Sequence, residues 1–329
     1  MNILVVGGAG YIGSHTVAHL LQDGHSVTVL DNFSNSDEGV IEKLKSNFGD
    51  FDVIKSDLRD YTLLRKSLKG VTADAVIHFA ALIEVGRSVN EASNFFDNNV
   101  NGSQNLFRAL ENIGIKKVIF SSSAAVYGPP KHTPISETAD LNAGNPYATS
   151  KIVVEKILED YCKYSGFKGI SLRYFNPAGS LDGIIGEAHH SESHLIPRLL
   201  RSIKNQDDKF TVYGDDYSTS DGSAIRDYIH IMDLVDIHIK AINYLDKIDK
   251  YNVFNVGTGK GHSVFEVIKT AEKITGKKLK YSIVPRRDGD SPILIADIKK
   301  IKEKIDWSSK YDLPEIVDSA WKWAQGYNN

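Results

Sequence analysis

The stretch that most restricts this chain is Gly7-Gly8-Ala9-Gly10-Tyr11-Ile12-Gly13. It stands between a short apolar, β-branched run, Ile3 to Val6, and a helical stretch carrying Ile12, Val17, Leu20 and Leu21. It reads as Gly-x-x-Gly-x-x-Gly from Gly7, or as Gly-x-Gly-x-x-Gly from Gly8. Residues without a Cβ let the backbone turn tightly and approach another group closely. The helix that follows aims its free N–H groups and the positive end of its dipole at the turn, which suits a pyrophosphate. Glycines alone are weak support, since many tight strand-to-helix turns use them. Here the context adds weight: a strand before, a helix after, and Asp31 closing the next strand, Val27 to Leu30. A carboxylate there accepts bonds from an adenosine ribose and repels a 2′-phosphate. The expected cofactor is NAD rather than NADP.

The first half keeps alternating two periods. Val53 and Ile54 mark a third strand, Ala75 to Phe79 a fourth, Val118 to Phe120 a fifth and Ile170 to Phe175 a sixth. Helical segments separate them. One holds Leu63, Leu64 and Leu68, a longer one runs from about Ala92 to Ile113, and another opens at Asn145-Pro146. Asparagine caps a helix and proline suits its first position. Strands alternating with helices predict an α/β fold, a doubly wound, Rossmann-type parallel sheet. After Pro177 the alternation weakens: Gly179 to Ser193 reads as loop, Leu195 to Lys204 as helix and Gly214 to Ser223 as polar turn. The expected division is a dinucleotide-binding domain over 1–176, with a return around 225–256, and a smaller α/β substrate domain over 177–329.

Composition excludes several classes. Lys plus Arg number 39 against 42 Asp plus Glu, so there is no basic excess for nucleic acid. No run of about 18 apolar residues is present to span a membrane. The opening Met-Asn-Ile-Leu-Val-Val has no basic region of the signal-peptide kind. Cys162 is the single cysteine, so no intrachain disulfide forms. The compartment expected from these features is the cytoplasm.

Tyr147-Ala148-Thr149-Ser150-Lys151 is the second constellation. On a helix, positions four apart share a face, so Tyr147 and Lys151 are neighbours. A free tyrosine, with a pKa of about 10, is a poor base at neutral pH. A nearby ammonium favours the phenolate, and such a pair can exchange a proton with a substrate hydroxyl. Ser121-Ser122-Ser123 follows the fifth strand and puts hydroxyls at the carboxyl edge of the sheet, where ligands bind in this architecture.

These residues resemble the extended short-chain dehydrogenase/reductase superfamily, and within it the UDP-glucose 4-epimerases. The likeness covers nearly the whole chain. It includes Gly7 to His15, Asp31-Asn32-Phe33-Ser34-Asn35-Ser36, Phe79-Ala80-Ala81, Asp97 to Gly102, Ser121 to Ser123 with Val126-Tyr127-Gly128, and Arg173 to Gly179. Gly214 to Tyr217, Asp221-Gly222 and Ile225-Arg226-Asp227-Tyr228-Ile229-His230 are the more family-specific part. The resemblance implies a mechanism. Tyr147 removes the proton of the sugar 4-hydroxyl, Ser123 hydrogen-bonds the same oxygen, and a 4-keto sugar turns over before reduction on its other face. Lys151 holds the nicotinamide ribose and lowers the Tyr147 pKa.

The same likeness implies that Gly7, Gly10, Tyr11, Ile12, Gly13, Asp31 to Ser36, Asp57, Leu58, Phe79, Ala80, Ala81, Asn98, Ser121, Tyr174 and Phe175 line NAD. Asn176, His194, Leu195, Tyr213, Arg226, Arg287, Asp290 and Leu294 would line the UDP-sugar. Leu294 stands where a tyrosine in the family is associated with exclusion of 2-acetamido sugars. A homodimer built on the helices near Ala92 and Asn145 is implied as well.

The chain departs from the pattern in places. Ile83 and Glu84 stand where some members have a cofactor-holding lysine, and His194 where some have asparagine. His189, His190 and His194 lie near Glu187 and Glu192, but a short histidine loop without fixed geometry does not predict a metal site. Ser122-Ser123-Ala124-Ala125 lacks the acidic pair of the sugar 4,6-dehydratases, which disfavours water loss. A UDP-pentose 4-epimerase and a non-catalytic dinucleotide sensor remain the alternatives.

Overall fold

Ile3, Leu4, Val5 and Val6 are each at most 1% exposed, as a strand covered by helices on both faces requires. The computed structural model describes residues 1–188, 192–206, 210–287 and 289–326. Strands β1 (Asn2–Val6), β2 (Ser26–Asp31), β3 (Asp52–Lys55), β4 (Ala75–His78), β5 (Lys117–Ser123) and β6 (Lys168–Tyr174) share one sheet with the strand Tyr251–Val256. Their order is Tyr251–Val256, β6, β5, β4, β1, β2, β3. β1 pairs in parallel with β2 and with β4, so Val5 faces Val29 on one side and Ile77 on the other. The strand order reverses between β1 and β4, and ligands of such sheets bind beyond the carboxyl ends at that point.

The crossover helices follow the expected alternation. α1 (Tyr11–Gln22), α2 (Gly39–Phe48) and α3 (Tyr61–Ser67) succeed β1, β2 and β3. α4 (Val85–Asn90), α5 (Ala92–Phe95) and α6 (Gly102–Asn112) lie between β4 and β5, and α7 (Pro146–Tyr164) precedes β6. Asn145 caps α7 by accepting the Ala148 N–H at 2.9 Å, with Pro146 at the first helical position. The segment from Ala92 to Ile113 is not the single helix that its apolar spacing predicts. A π-helical turn, Phe96–Asn101, interrupts it. Apolar spacing does not register one extra residue in a turn, and π-turns often mark functional sites. Leu4, Val76, Phe107, Leu110, Phe120 and Leu158 belong to the core around the sheet.

The chain divides into two compact units. The first comprises Met1–Tyr127, Leu141–Arg173 and Val235–Phe254; the second comprises Gly128–Asp140, Tyr174–Leu234 and Asn255–Asn329. The excursion Gly128–Asp140 opens on Gly128-Pro129-Pro130 and contains Pro134, a proline-rich break in the helical and strand pattern. In the second unit, Ile196, Leu199, Ile203, Val267, Val317 and Trp321 bring together the helices Leu195–Asn205, Val264–Thr275 and Leu313–Gly326. The strand Ile225–Arg226 pairs antiparallel with His262–Ser263 and parallel with Ile293–Leu294. Phe210–Tyr213 and Tyr281–Val284 form a parallel pair. The lysine run Lys299 to Lys304 lies on the helix Lys299–Ile305, with Ile301 buried. Among the described residues no helix is long and apolar enough to cross a membrane.

Candidate active site

The glycine turn divides into positions that the fold needs and a position that it leaves open. Gly7 has φ +82°, and a Cβ there would lie 2.5 Å from the Ala80 nitrogen. At Gly13 a Cβ would lie 2.1 Å from the Gly7 carbonyl oxygen, so α1 can pack on the turn only without a side chain. A Cβ at Gly10 would meet nothing closer than that same oxygen, at 3.5 Å. The first and last glycines serve the chain's own packing. The middle one leaves open the space in front of the start of α1, at Tyr11 and Ile12, where a phosphate would fit.

Asp31 ends β2 and ties this turn to the next. Its Oδ2 accepts the Ala9 N–H at 2.9 Å, and its Oδ1 accepts the Phe33 N–H at 2.9 Å and the Ser36 hydroxyl at 3.4 Å. Burial pushes the Asp31 carboxyl up from its ordinary value, against those hydrogen bonds. The turn is completed by Asn32, whose Oδ1 accepts the Ser34 N–H, and by Asn35. Asn32 also donates to Asp57 at 3.0 Å. Asp57 is gripped by Arg59 through Nε at 3.0 Å and Nη2 at 2.7 Å, which holds its carboxyl at about 2. Asp57, Arg59, Asp60, Tyr61 and Asp97 line an open pocket of about 590 Å³. Leu58 is buried against Gly102. After β4, the Phe79 and Ala80 N–H groups both donate to the Val6 carbonyl, and Ala81 follows. An anion cradle left open at Gly10 and a carboxylate at the end of β2 fit an extended dinucleotide.

Tyr147 and Lys151 share a face of α7, with Lys151 Nζ 5.8 Å from the Tyr147 ring centroid. Lys151 Nζ donates to the Ser121 carbonyl at 2.7 Å and lies 5.0 Å from the Phe120 ring. Ser123 Oγ accepts the Ala125 N–H at 3.2 Å. The chain's own residues do not lower the Tyr147 pKa as expected. Burial raises it, and the hydrogen-bonded Ser123 hydroxyl, not Lys151, pulls it back. The physical reason lies in Lys151 itself: burial brings its ammonium down to about 7, against Glu155, which favours the charge.

Two positioning residues escaped the sequence reading. Asn99, in the π-turn, accepts the Leu82 N–H at 2.8 Å and donates to the Leu82 carbonyl and to Ser150 Oγ, each at 3.0 Å. Ser150 in turn donates to the Tyr147 carbonyl at 2.7 Å. Asn98 donates to the Asn99 side chain at 3.0 Å. One amide thus joins the segment after β4 to α7. Its only signal in the sequence is the doubled asparagine inside a helical pattern.

In the second unit Arg226 reaches the Ile225 and Ser291 carbonyls at 2.9 Å each and Asp290 at 3.4 Å. Leu294 is the register partner of Arg226, so both side chains stand on one face of the small sheet. The Arg287 guanidinium lies 3.8 Å from the Tyr213 ring centroid. Arg226, Asp290 and Leu294 are thus brought together, as are Arg287 and Tyr213. Phe175 and Asn176 follow Tyr174, and their N–H groups donate to the Val256 and Asp227 carbonyls.

His194 precedes Leu195 at the start of its helix, and its Nδ1 lies 2.6 Å from Glu187 and 3.1 Å from Glu192. Burial opposes its charge, but the two carboxylates outweigh burial and hold the imidazole well above the usual histidine range. The potential ligand atoms of these three residues lie within 4.8 Å of one another, and mutual ion pairs account for the grouping. His189 and His190 lie outside the described residues.

The family model "NAD dependent epimerase/dehydratase family" matches residues 3–257. The chain belongs to that family. It is 43% identical to a UDP-glucose 4-epimerase of Lactobacillus helveticus, over 99% of this chain and 98% of that protein. A UDP-glucose 4-epimerase structure from Stenotrophomonas maltophila, with bound NAD and formylated UDP-arabinopyranose, superposes with a TM-score of 0.95 at 39% identity, covering 99% and 98%. A UDP-Glc/GlcNAc 4-epimerase from Campylobacter jejuni superposes with a TM-score of 0.86 at 40% identity, covering 99% of each chain. Glu84 lies 3.6 Å from Arg87 and has its other oxygen buried without a hydrogen bond.

Proposed function

We propose that this protein interconverts UDP-galactose and UDP-glucose by inversion at C4 through a transient 4-keto sugar, with NAD as its resident oxidant. The observation that carries the reading is the group Ser123, Tyr147 and Lys151, held in one unit with an open glycine turn and the Asp31 carboxylate at the end of β2. Bound NAD supplies a hydride acceptor that is regenerated within one cycle. Tyr147 takes the 4-hydroxyl proton as C4 is oxidised and returns it as C4 is reduced on the opposite face. Ser123 hydrogen-bonds the same oxygen, and Lys151 holds the nicotinamide ribose. Arg226 and Arg287 bind the diphosphate, since guanidinium groups offer planar, paired donors. A cytoplasmic location belongs to this reading and accords with the buried lone thiol, Cys162.

Purified protein given UDP-galactose without added NAD should yield UDP-glucose. Cofactor released on denaturation should lack a 2′-phosphate, because Asp31 disfavours one. A protein that leaves UDP-galactose untouched but converts UDP-xylose would move the reading to a pentose epimerase. Failure on every UDP-sugar would sink it.

The pairing of Leu294 with Arg226 favours a second activity, interconversion of the 2-acetamido sugars. Leucine is shorter than tyrosine and has no hydroxyl to desolvate, so it leaves room for an acetamido group. Comparing kcat/KM for UDP-GalNAc and UDP-galactose tests this. Leu294→Tyr should lower that ratio about tenfold or more, the scale on which close-fitted pockets discriminate. An unchanged ratio removes Leu294 from the specificity site.

We also propose a homodimer. Val85 and Val89 on α4, Phe96 in the π-turn and Val153 on α7 are all exposed, Val89 by 64%. Apolar patches of this kind mark interfaces, and paired identical patches are the commonest oligomer contact. Light scattering at micromolar concentration should give twice the chain mass. The pair Val89→Glu and Val153→Glu should halve it without unfolding the chain; a monomeric wild type would end the proposal.

A further inference from the structure

A buried ionic group lies behind the strand end that carries the three serines. Glu155 stands one turn after Lys151 on α7 and is 5% exposed; Arg173, on β6, is 4% exposed. Arg173 Nε donates to Glu155 Oε1 at 2.9 Å and Nη2 to Oε2 at 2.6 Å. Arg173 Nη1 donates to the Tyr127 hydroxyl at 2.9 Å. Ser122 Oγ donates to Glu155 Oε1 at 2.5 Å. Ser122 lies between Ser121, whose carbonyl accepts from Lys151, and Ser123.

Stability alone is a poor reason for such a pair. Desolvating two charges offsets most of their attraction, and apolar residues of similar volume often serve as well. The surrounding elements show what the pair can do. Lys151 is faced by Tyr147 and Glu155 on its own helix and by His78 on β4. Burial, with the Lys151 charge, brings His78 down to about 3, so it is neutral. Arg173 on β6 and Tyr127 after β5 lie behind Glu155. Among these groups Glu155 is the one charge that favours the Lys151 ammonium.

We propose that Glu155, held by Arg173 and Ser122, is a positioning residue that keeps Lys151 charged and aligns the strand end bearing Ser121 and Ser123. The inference rests on the epimerase reading for the role of Lys151, but its electrostatic part is testable apart from it.

The experiment compares pH–rate profiles of UDP-galactose conversion for wild type, Glu155→Gln, Arg173→Gln and Ser122→Ala, each normalised to folded, NAD-loaded protein. Lys151 acts as an ammonium, so kcat falls as pH rises through its titration. Glu155→Gln removes the supporting charge and should move this alkaline limb about one pH unit toward acid. Arg173→Gln removes the competing cation and should move the limb the other way. Ser122→Ala keeps both charges and should leave the limb in place, and Glu155→Asp should restore it. In lysine-labelled protein, the Lys151 resonance, assigned by its loss in Lys151→Arg, should titrate with the same displacements. Limbs and resonances that coincide with wild type, or that move in one direction for both variants, overturn the proposal. Should Glu155→Gln not fold, the opposite displacement in Arg173→Gln decides. A wild type without epimerase activity would overturn the function, while the lysine titration would still judge Glu155.

Discussion

Tyr147→Phe should lower kcat for UDP-galactose by about 10²-fold or more, the scale of a positioned acid–base group. The substitution removes one oxygen from a buried ring and leaves the ring in place, so the packing of α7 should not change. Ser123 loses a partner, and nothing in the glycine cradle or at Asp31 is altered. NAD content and melting temperature should therefore match the wild type, and KM for the UDP-sugar should change little compared with kcat. Burial raises the phenol's pKa in the chain alone. The phenolate must accordingly be favoured by charge close to it when the site is loaded, and the acid limb of the wild-type profile should disappear with the hydroxyl. A Phe variant that turns over at a near-normal rate would transfer the proton step to Ser123 or to another group.

A second large effect is expected at the glycine turn, where two similar substitutions should fail differently. Gly13→Ala puts a Cβ 2.1 Å from one backbone oxygen and 2.8 Å from the Gly8 Cα. Backbone cannot yield as a flexible side chain can, so α1 must shift. A cost of about 3 kcal/mol follows from overpacking of this kind. NAD should be lost together with stability. Gly10 has φ −73° and ψ 175°, a conformation open to any residue, and its Cβ would meet only one oxygen at 3.5 Å. Gly10→Ala should therefore fold with a loss within about 1 kcal/mol, yet retain much less NAD, because the methyl group takes the phosphate's space. Cofactor extraction and thermal melting of both variants separate the two cases. Full NAD retention in Gly10→Ala would mean that the cradle is not where the pyrophosphate lies.

Much of this was legible along the chain because it depends on near neighbours. The glycine spacing reports a turn in which Gly13 must pack on Gly7 and Gly8, a few positions away. The four-residue interval from Tyr147 to Lys151 puts both on one helical face whatever the rest of the fold does. Asn145 and Pro146 start α7 for equally local reasons. The apolar runs of the strands announce burial on both faces and hence the parallel sheet. The π-turn at Phe96–Asn101 was not legible, since it is a one-residue insertion against an otherwise helical pattern.

The sequence by itself determined the α/β architecture and set Tyr147 and Lys151 on one helical face, through steric and periodic constraints that act over a few residues. The tertiary structure alone decided their electrostatic state. Lys151 comes down to about 7 and Tyr147 goes up because both are buried, and burial is a property of everything packed around a group. The charge that opposes the shift of Lys151 belongs to Glu155, which is held by Arg173, 18 positions further along the chain. Likewise Leu82 meets Asn99 across 17 positions and Asn99 meets Ser150 across 51. Such partners are set by which strands lie side by side, and no local spacing carries that information. The Coulomb energy of a pair depends on its distance and on the water excluded around it, and both come into being only when the sheet and its helices close together.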